Sequence, residues 1–290
     1  MFPSAPISLR IGLLGTGRVA SHLGPALIEA GHHVVFVWNR SMPAATSLAA
    51  QLPGAQALTT LAPPLPPADV YLLAVPDAAV ASLLATTTWP SGALVAHLAG
   101  ALPLSVFAAR PEVRGGVFYP LQTFSPGRAI DWPTVPLCIE ANDLTAEATL
   151  LTLARSLSQQ VLRLDSARRL KLHVAAVFAN NFTNHLLGIA DVLLAEADLP
   201  TDLLSPLVLE TVDKALRRAN WPGRTARFAN AGRPPCGAGG PPGLAGPLRP
   251  ANGQHPGAAL MPGPGGVPLR QQMPCFFRLF CLSLCLFPLL

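Results

Sequence analysis

Apolar residues follow two rhythms along this chain, and the change from one to the other divides it. Up to about residue 165, short β-branched and leucine-rich runs alternate with stretches of helical spacing. Ile11–Leu14 is an apolar run that stops at Gly15. Val19, Leu23 and Leu27 then recur every four residues, one face of a helix, until Gly31 ends it. "HVVFVWN" reads as a second strand. Further strands are expected in "ADVYLLAVPD", "GALVAHLAGA", "GGVFYPLQTFS", "VPLCIEA" and "QVLRLD", the last two flanking a helix from about Thr145 to Ser158. Such alternation predicts an α/β fold with a doubly wound, open, mostly parallel sheet. From Ala167 to about Arg218 only helical periodicity remains, which predicts an all-helical second part. The expected boundaries are 8–165 for the sheet domain, 166–220 for the helical domain and 221–290 for a tail.

The tail changes the picture of composition and charge. About half of residues 222–268 are Gly or Pro, a composition that cannot pack a core. Residues 1–220 hold 14 Lys and Arg against 15 Asp and Glu, whereas 221–290 hold 6 Arg and no acid. The formal charge of +5 therefore belongs to the tail. The tail reads as disordered or out of frame: acids vanish abruptly, and a Gly/Pro/Ala/Arg bias is what a GC-rich gene gives after a frameshift near residue 220. Its last 16 residues, "CFFRLFCLSLCLFPLL", are apolar but shorter than the roughly 20 needed to span a bilayer, and Arg278 and Pro288 interrupt them. No membrane or nucleic-acid partner is expected, since residues 1–220 carry no basic stripe with interleaved aromatics. Only Cys138 precedes the tail, so no disulfide framework or zinc spacing arises there, and the N-terminus lacks the pattern of a signal peptide. A cytoplasmic location is the expectation.

The first turn carries the clearest chemistry. Gly15, Gly17 and Ala20 form G-x-G-x-x-A between a strand and a helix inside a β–α–β unit. Gly15 permits the tight turn, Gly17 lets backbone approach a pyrophosphate, and Ala20 allows close helix–strand packing. The backbone of Thr16, Arg18 and Val19 would complete the phosphate site at the positive end of the helix. The end of the second strand reads Asn39-Arg40-Ser41, with no acid for a ribose 2′-hydroxyl. Arg40 offers a planar fork to a 2′-phosphate, so the expected cofactor is NADP (NADPH) rather than NAD. Val75 and Pro76 end another strand at the ligand-facing edge, and Asp77 is expected chiefly to cap the next helix.

"KLHVAAVFANNFTNHLL", residues 171–187, reads mostly as a buried helix, yet it carries two histidines and three asparagines. At about 100° per residue, His173, Asn180, Asn181 and Asn184 share one arc about 100° wide. His and Asn donate and accept hydrogen bonds without fixed charge, which suits a cleft; polar groups satisfied across a helix interface are the other reading. Lys171 falls on the far side of the wheel and is not assigned a role.

The stretches "GTGRVASHL", "AVPD", "YPLQTFS", "LHVAAVFANNFTNHL" and "PLVLETVDKAL" run in order from about residue 9 to 216. Their combination resembles the Rossmann-like NADP oxidoreductase family whose C-terminal part is domain of unknown function 2520. That family is distantly related to pyrroline-5-carboxylate reductase and to the 6-phosphogluconate and β-hydroxyacid dehydrogenases. Its recurring positions correspond here to Gly15, Gly17, Asp77, His97, Gly100, Pro120, Gln122, Thr123, Phe124, His173, Asn181 and Asn184. The resemblance implies hydride transfer between nicotinamide and a small carbonyl or imine, with the long helix along the cleft. His173 would handle the proton, and Asn181 and Asn184 would orient the substrate. His97, Gly100, Gln122 and Thr123 would form the rest of the substrate site, with no metal. Later helices would close the cleft and form a homodimer if the helical domain is complete. Two departures stand out: Ala99 where the family often has Ser, and the tail. The other reading is a dinucleotide-binding regulatory module without turnover.

Overall fold

The computed structural model describes residues 7–219. The expectations for residues 221–290 lie outside the described residues. Eight strands form one sheet: β1 (Arg10–Leu14), β2 (His33–Trp38), β3 (Gln56–Leu58), β4 (Val70–Leu73), β5 (Leu94–His97), β6 (Arg114–Pro120), β7 (Leu137–Ala141) and β8 (Val161–Arg163). Their order is β3-β2-β1-β4-β5-β6-β7-β8. All neighbours run parallel except β6 and β7. The open, mostly parallel sheet is therefore as the apolar pattern implies. The three-residue β3 is an addition that the pattern does not signal.

Both faces of the sheet are covered, so its central strands are apolar throughout rather than alternating. Ile11, Leu13, Val70 and Leu72 join one buried layer, while Leu14, Tyr71 and Leu73 join the other. Helix α1 (Arg18–Glu29) supplies Ala20, Leu23 and Leu27 to the first layer, and α4 (Leu144–Leu157) supplies Leu150, Leu151 and Leu153. Helix α3 (Asp77–Thr86) supplies Val80 and Leu84 to the second. Helix α2 (Met42–Ala49) leads from β2 toward β3. Asp143 caps α4 by accepting from the Ala146 N–H at 2.8 Å, and the Arg114 guanidinium beside it holds its carboxyl below the usual range.

The helical part begins one residue after Asp165, which accepts from the Arg168 N–H at 2.7 Å and caps α5 (Ser166–Ala176). Val177–Phe182 form a π-helical turn, followed by α6 (Thr183–Glu196) and α7 (Ser205–Ala219). The expected buried helix is not buried. Phe178 is 64% exposed, Leu186 63% and Leu207 64%. Within the described residues nothing covers the apolar faces of α6 and α7.

One contact fixes α5 to the sheet. Arg169, 0% exposed, donates through Nε to the Gly100 carbonyl at 3.3 Å, and through its other nitrogens to Glu140 and the Leu102 carbonyl. Ser166 N–H and Oγ–H donate to the same Glu140, while Ser166 Oγ accepts from Leu104 N–H at 2.9 Å. Each of the three guanidinium nitrogens thus has an acceptor, one of them a carboxylate, which is what makes burying the charge tolerable. Removing Glu140 would strand that charge. Glu140→Ala should cost about 3–5 kcal/mol in denaturant unfolding, and Glu140→Gln, which retains an acceptor, should cost less. A loss below about 0.5 kcal/mol for the alanine variant would show that the ion pair does not anchor the helix.

Candidate active site

In an open parallel sheet, ligands bind beyond the carboxyl ends of the strands, where the strand order reverses. Here the reversal lies between β1 and β4, and a cleft of about 450 Å³ opens there. Gly15 makes the turn out of β1 with φ +115°, and a Cβ on it would stand 2.1 Å from the Ala74 carbonyl oxygen. Gly17 is the N-cap of α1, and a Cβ there would meet nothing within 4 Å. The space beside Gly17 is open toward the cleft that Gly15, Thr16 and Gly17 all line.

No side chain caps α1, and its first turn holds no acid. The backbone N–H groups of Arg18 and Val19 therefore have no intrahelical acceptor and sit at the positive end of the dipole. Asn39 braces this turn: its Nδ2 donates to Thr16 Oγ1 at 2.6 Å, and its Oδ1 accepts from Ser41 N–H at 2.9 Å. Asn39 is thus occupied in shaping the site. Arg40 is exposed, lines the cleft and has no acidic partner among the described residues. Val75 and Pro76 form the facing wall. A neighbouring hollow of about 390 Å³ shares Trp38, Leu83 and Thr86 with the cleft. The residues Trp38 and Thr87 line it, and the buried Trp38 Nε1 and Thr87 Oγ1 have no partner among the described residues.

The capping role expected of Asp77 needs correction. Pro76 takes the cap position of α3, and no side chain caps that helix. Asp77 instead occupies the first turn, where its charge favours the helix dipole. It keeps solvent contact, but surrounding protein pushes its carboxyl above the ordinary range while His173 acts the other way.

His173 does not line the cleft, but sits within electrostatic reach of Asp77. Its Nδ1 lies 3.0 Å from Tyr119 Oη, with the two rings edge to face at 5.9 Å. Burial lowers the His173 pKa below its usual value, and the Asp77 charge offsets part of that shift. Tyr119, at the end of β6, is pushed up to about 12, first by burial and then by Cys138 and Asp77. Gly100 lies directly beneath. A Cβ there would stand 2.4 Å from His173 Nδ1 and 2.7 Å from Tyr119 Cζ, and its carbonyl is the one Arg169 holds. Glycine is required at this position because the two rings close over it.

Other expected site residues fare differently. Thr123 Oγ1 accepts from Asn180 Nδ2 at 2.9 Å, which joins the loop after β6 to the π turn. Asn180 also donates to Asn181 Oδ1 at 2.9 Å, and Gln122 Oε1 accepts from Thr123 N–H. Asn184 is exposed, and its side chain makes no hydrogen bond among the described residues. The single polar arc drawn at 100° per residue is interrupted because the π turn spaces its bonds i to i+5 and shifts every later residue around the axis.

His97, expected in the substrate site, is 0% exposed. Its Nδ1 accepts from Ala99 N–H at 3.2 Å, and its ring stacks on Phe107 at 5.9 Å. Burial, with Arg169 acting in the same sense, pushes it down to about 3. It is packed at the strand end and does not line the cleft. Its Nε2 has no partner among the described residues.

Tyr119, Arg169 and Glu140 are the residues that sequence reading missed. Tyr119 sits inside "YPLQTFS", a stretch already marked, one residue before Pro120. That strand end faces the site, so position alone could have flagged it.

Comparison with known proteins follows the same division. Residues 4–121 match the Rossmann-like domain, and residues 135–225 match Domain of unknown function (DUF2520). A crystal structure from Bacteroides fragilis, provisionally assigned as an NADP oxidoreductase, is 36% identical, with 77% of this chain and 88% of that one covered at a TM-score of 0.67. An Aspergillus terreus reductive aminase in complex with NADPH and ethyl-5-oxohexanoate is 18% identical over 78% of this chain and 79% of its own, at 0.59. A 1-pyrroline-5-carboxylate reductase from Streptococcus pyogenes is 14% identical over 80% and 87%, at 0.57. These last two share the fold. No curated protein matches the sequence. At 36% identity across most of both chains, and with both domains matched in order, this chain belongs to the family of Rossmann-like proteins that carry the domain of unknown function 2520.

Proposed function

We propose that this protein is an NADP-dependent oxidoreductase that moves hydride between nicotinamide and a small carbonyl or imine. The observation that carries the reading is the open N-terminus of α1: a glycine turn, no capping side chain, no acid, and free space beside Gly17 in a 450 Å³ cleft. Such a terminus suits a pyrophosphate. Arg40, exposed on the cleft with no acid beside it, fits a 2′-phosphate better than a ribose hydroxyl. The donor set present thus fits NADP. Thr16 and the Arg18 and Val19 backbone would hold the pyrophosphate, with Asn39 and Ser41 shaping the Arg40 loop.

When bound, the reduced cofactor supplies hydride. The protein must then manage the heteroatom that gains a proton. His173, pinned over Gly100 and within reach of Asp77, is placed to hold a hydrogen bond to that atom. Thr123, Asn180 and Asn181 form a linked row of neutral donors and acceptors on the same helix and the facing loop, suited to orienting a small polar substrate. The Bacteroides fragilis relative, provisionally assigned as an NADP oxidoreductase, supports the reading.

The apolar faces of α6 and α7 support a homodimer. Leu186, Leu193, Leu207, Leu209 and Leu216 are each 60% exposed or more, a larger apolar surface than a monomer ordinarily leaves open. A second copy of the same helices is a partner whose matching leucines this apolar surface fits. Light scattering on the full chain at micromolar concentration should give twice the monomer mass. A monomer at that concentration would overturn this assignment.

Cofactor choice is tested at Arg40. Arg40→Asp should weaken NADPH binding by about ten- to a hundredfold, the worth of a charged hydrogen bond to phosphate, and leave NADH nearly unchanged. Equal losses for both cofactors would remove the 2′-phosphate role. NADPH oxidation with a panel of small imines and keto acids tests the activity itself. Tight binding without turnover on any of them would favour a regulatory module.

A further inference from the structure

The Tyr119–His173 contact joins the end of β6 directly to α5. Tyr119 comes from the last turn-side residues of β6, and His173 from the second half of α5, 54 residues later. The contact is built rather than incidental. Gly100 leaves the room for both rings, and Arg169, one turn before His173 on the same helix, holds the Gly100 carbonyl. The rings meet edge to face, and Tyr119 Oη comes within 3.0 Å of His173 Nδ1.

Hydrogen-bond accounting decides the direction. Among the described residues the Tyr119 hydroxyl has no partner but His173 Nδ1. A phenol has one proton to donate, and leaving it unsatisfied in a half-buried site is costly. If Nδ1 carried the imidazole proton, it would donate to Tyr119 Oη and leave the phenol proton with no acceptor. If Nδ1 carries the lone pair, one hydrogen bond satisfies both groups. Burial pushes Tyr119 up to about 12, so it keeps this proton at neutral pH, and burial lowers the His173 pKa, which favours the neutral ring. Asp77 on α3 and Arg169 on α5 are the charged groups acting on this pair. Arg169 is engaged by Glu140, two carbonyls and Ser166.

We propose that Tyr119 is a positioning residue that donates into His173 Nδ1, fixes the ring as its Nε2–H tautomer, and so makes His173 a hydrogen-bond donor toward the substrate. The consequence is a substrate class. The atom that meets His173 must bear a free lone pair: a carbonyl oxygen or an unprotonated imine nitrogen. A fully protonated iminium has no lone pair to offer Nε2–H. This deepens the function proposed above and rests on it for the substrate, but the tautomer itself does not depend on turnover.

The test separates the two. In the full chain labelled with ¹⁵N-histidine at neutral pH, His173 should show a pyrrole-type Nε2 and a pyridine-type Nδ1 displaced by a hydrogen bond. In Tyr119→Phe, which keeps the ring and its packing on Gly100, the Nδ1 signal should move to the value of a free lone pair, with the melting temperature little changed. Turnover of a neutral imine or ketone should fall, by up to about 100-fold for a misplaced group, while the KM for NADPH stays constant. A pyrrole-type Nδ1 in the wild type, or an Nδ1 signal indifferent to Tyr119→Phe, would overturn the assignment. If the NMR result holds but no substrate turns over, the tautomer stands and the oxidoreductase reading fails.

Discussion

A fully buried guanidinium holds this architecture in register. Arg169 lies where β5, β7 and α5 converge, and its five donors leave it little freedom. A buried charge is a poor source of stability, since desolvation cancels most of the attraction, but it is a strict source of geometry. Any slide of α5 along the sheet would leave Glu140 or two carbonyls unmatched. The helix is therefore set to a fraction of a turn, and His173 is carried to one place.

The remaining site follows from that constraint. Because Arg169 grips the Gly100 carbonyl, the segment after β5 is held against α5 at its narrowest point. That closeness demands glycine, and it brings His173 onto Tyr119 rather than into solvent. On the other side of the reversal in strand order, the glycine turn and the open end of α1 form the cleft independently, from local sequence alone. Asp77 stands between the two, beside the cleft wall at Pro76 and within reach of His173. The cleft and the ring pair are thus built by different forces, one from backbone geometry and one from a buried polar network.

That difference explains what could be read in the sequence. The β–α–β unit, the glycine turn and the Arg40 loop follow from residue types a few positions apart, and local rules describe them well. Thr123 and His173 lie on elements that the apolar pattern located, so their neighbourhood was legible too. The failures lie where distant residues decide. Arg168 and Arg169 are adjacent and chemically identical, yet one is exposed and the other wholly buried, because only the second faces Glu140 and the segment after β5. His97 and His173 looked alike as candidates, but one ends a central strand and is sealed beneath it. The π turn at Val177–Phe182 leaves no mark in a hydrophobic pattern, so a wheel drawn through it misplaces Asn184. The three residues of β3 are too few to show a period.

The central claim is that a dinucleotide site at the end of α1 and a proton-handling site on α5 belong to one functional unit. Hydrogen–deuterium exchange of the full chain, with and without NADPH, tests it directly. The account predicts slowed exchange at 15–20 and 75–78 on binding, together with slowed exchange across 169–173. Protection at the glycine turn with α5 unchanged would mean that the two sites are separate, and no protection at the glycine turn would contradict the account at its root.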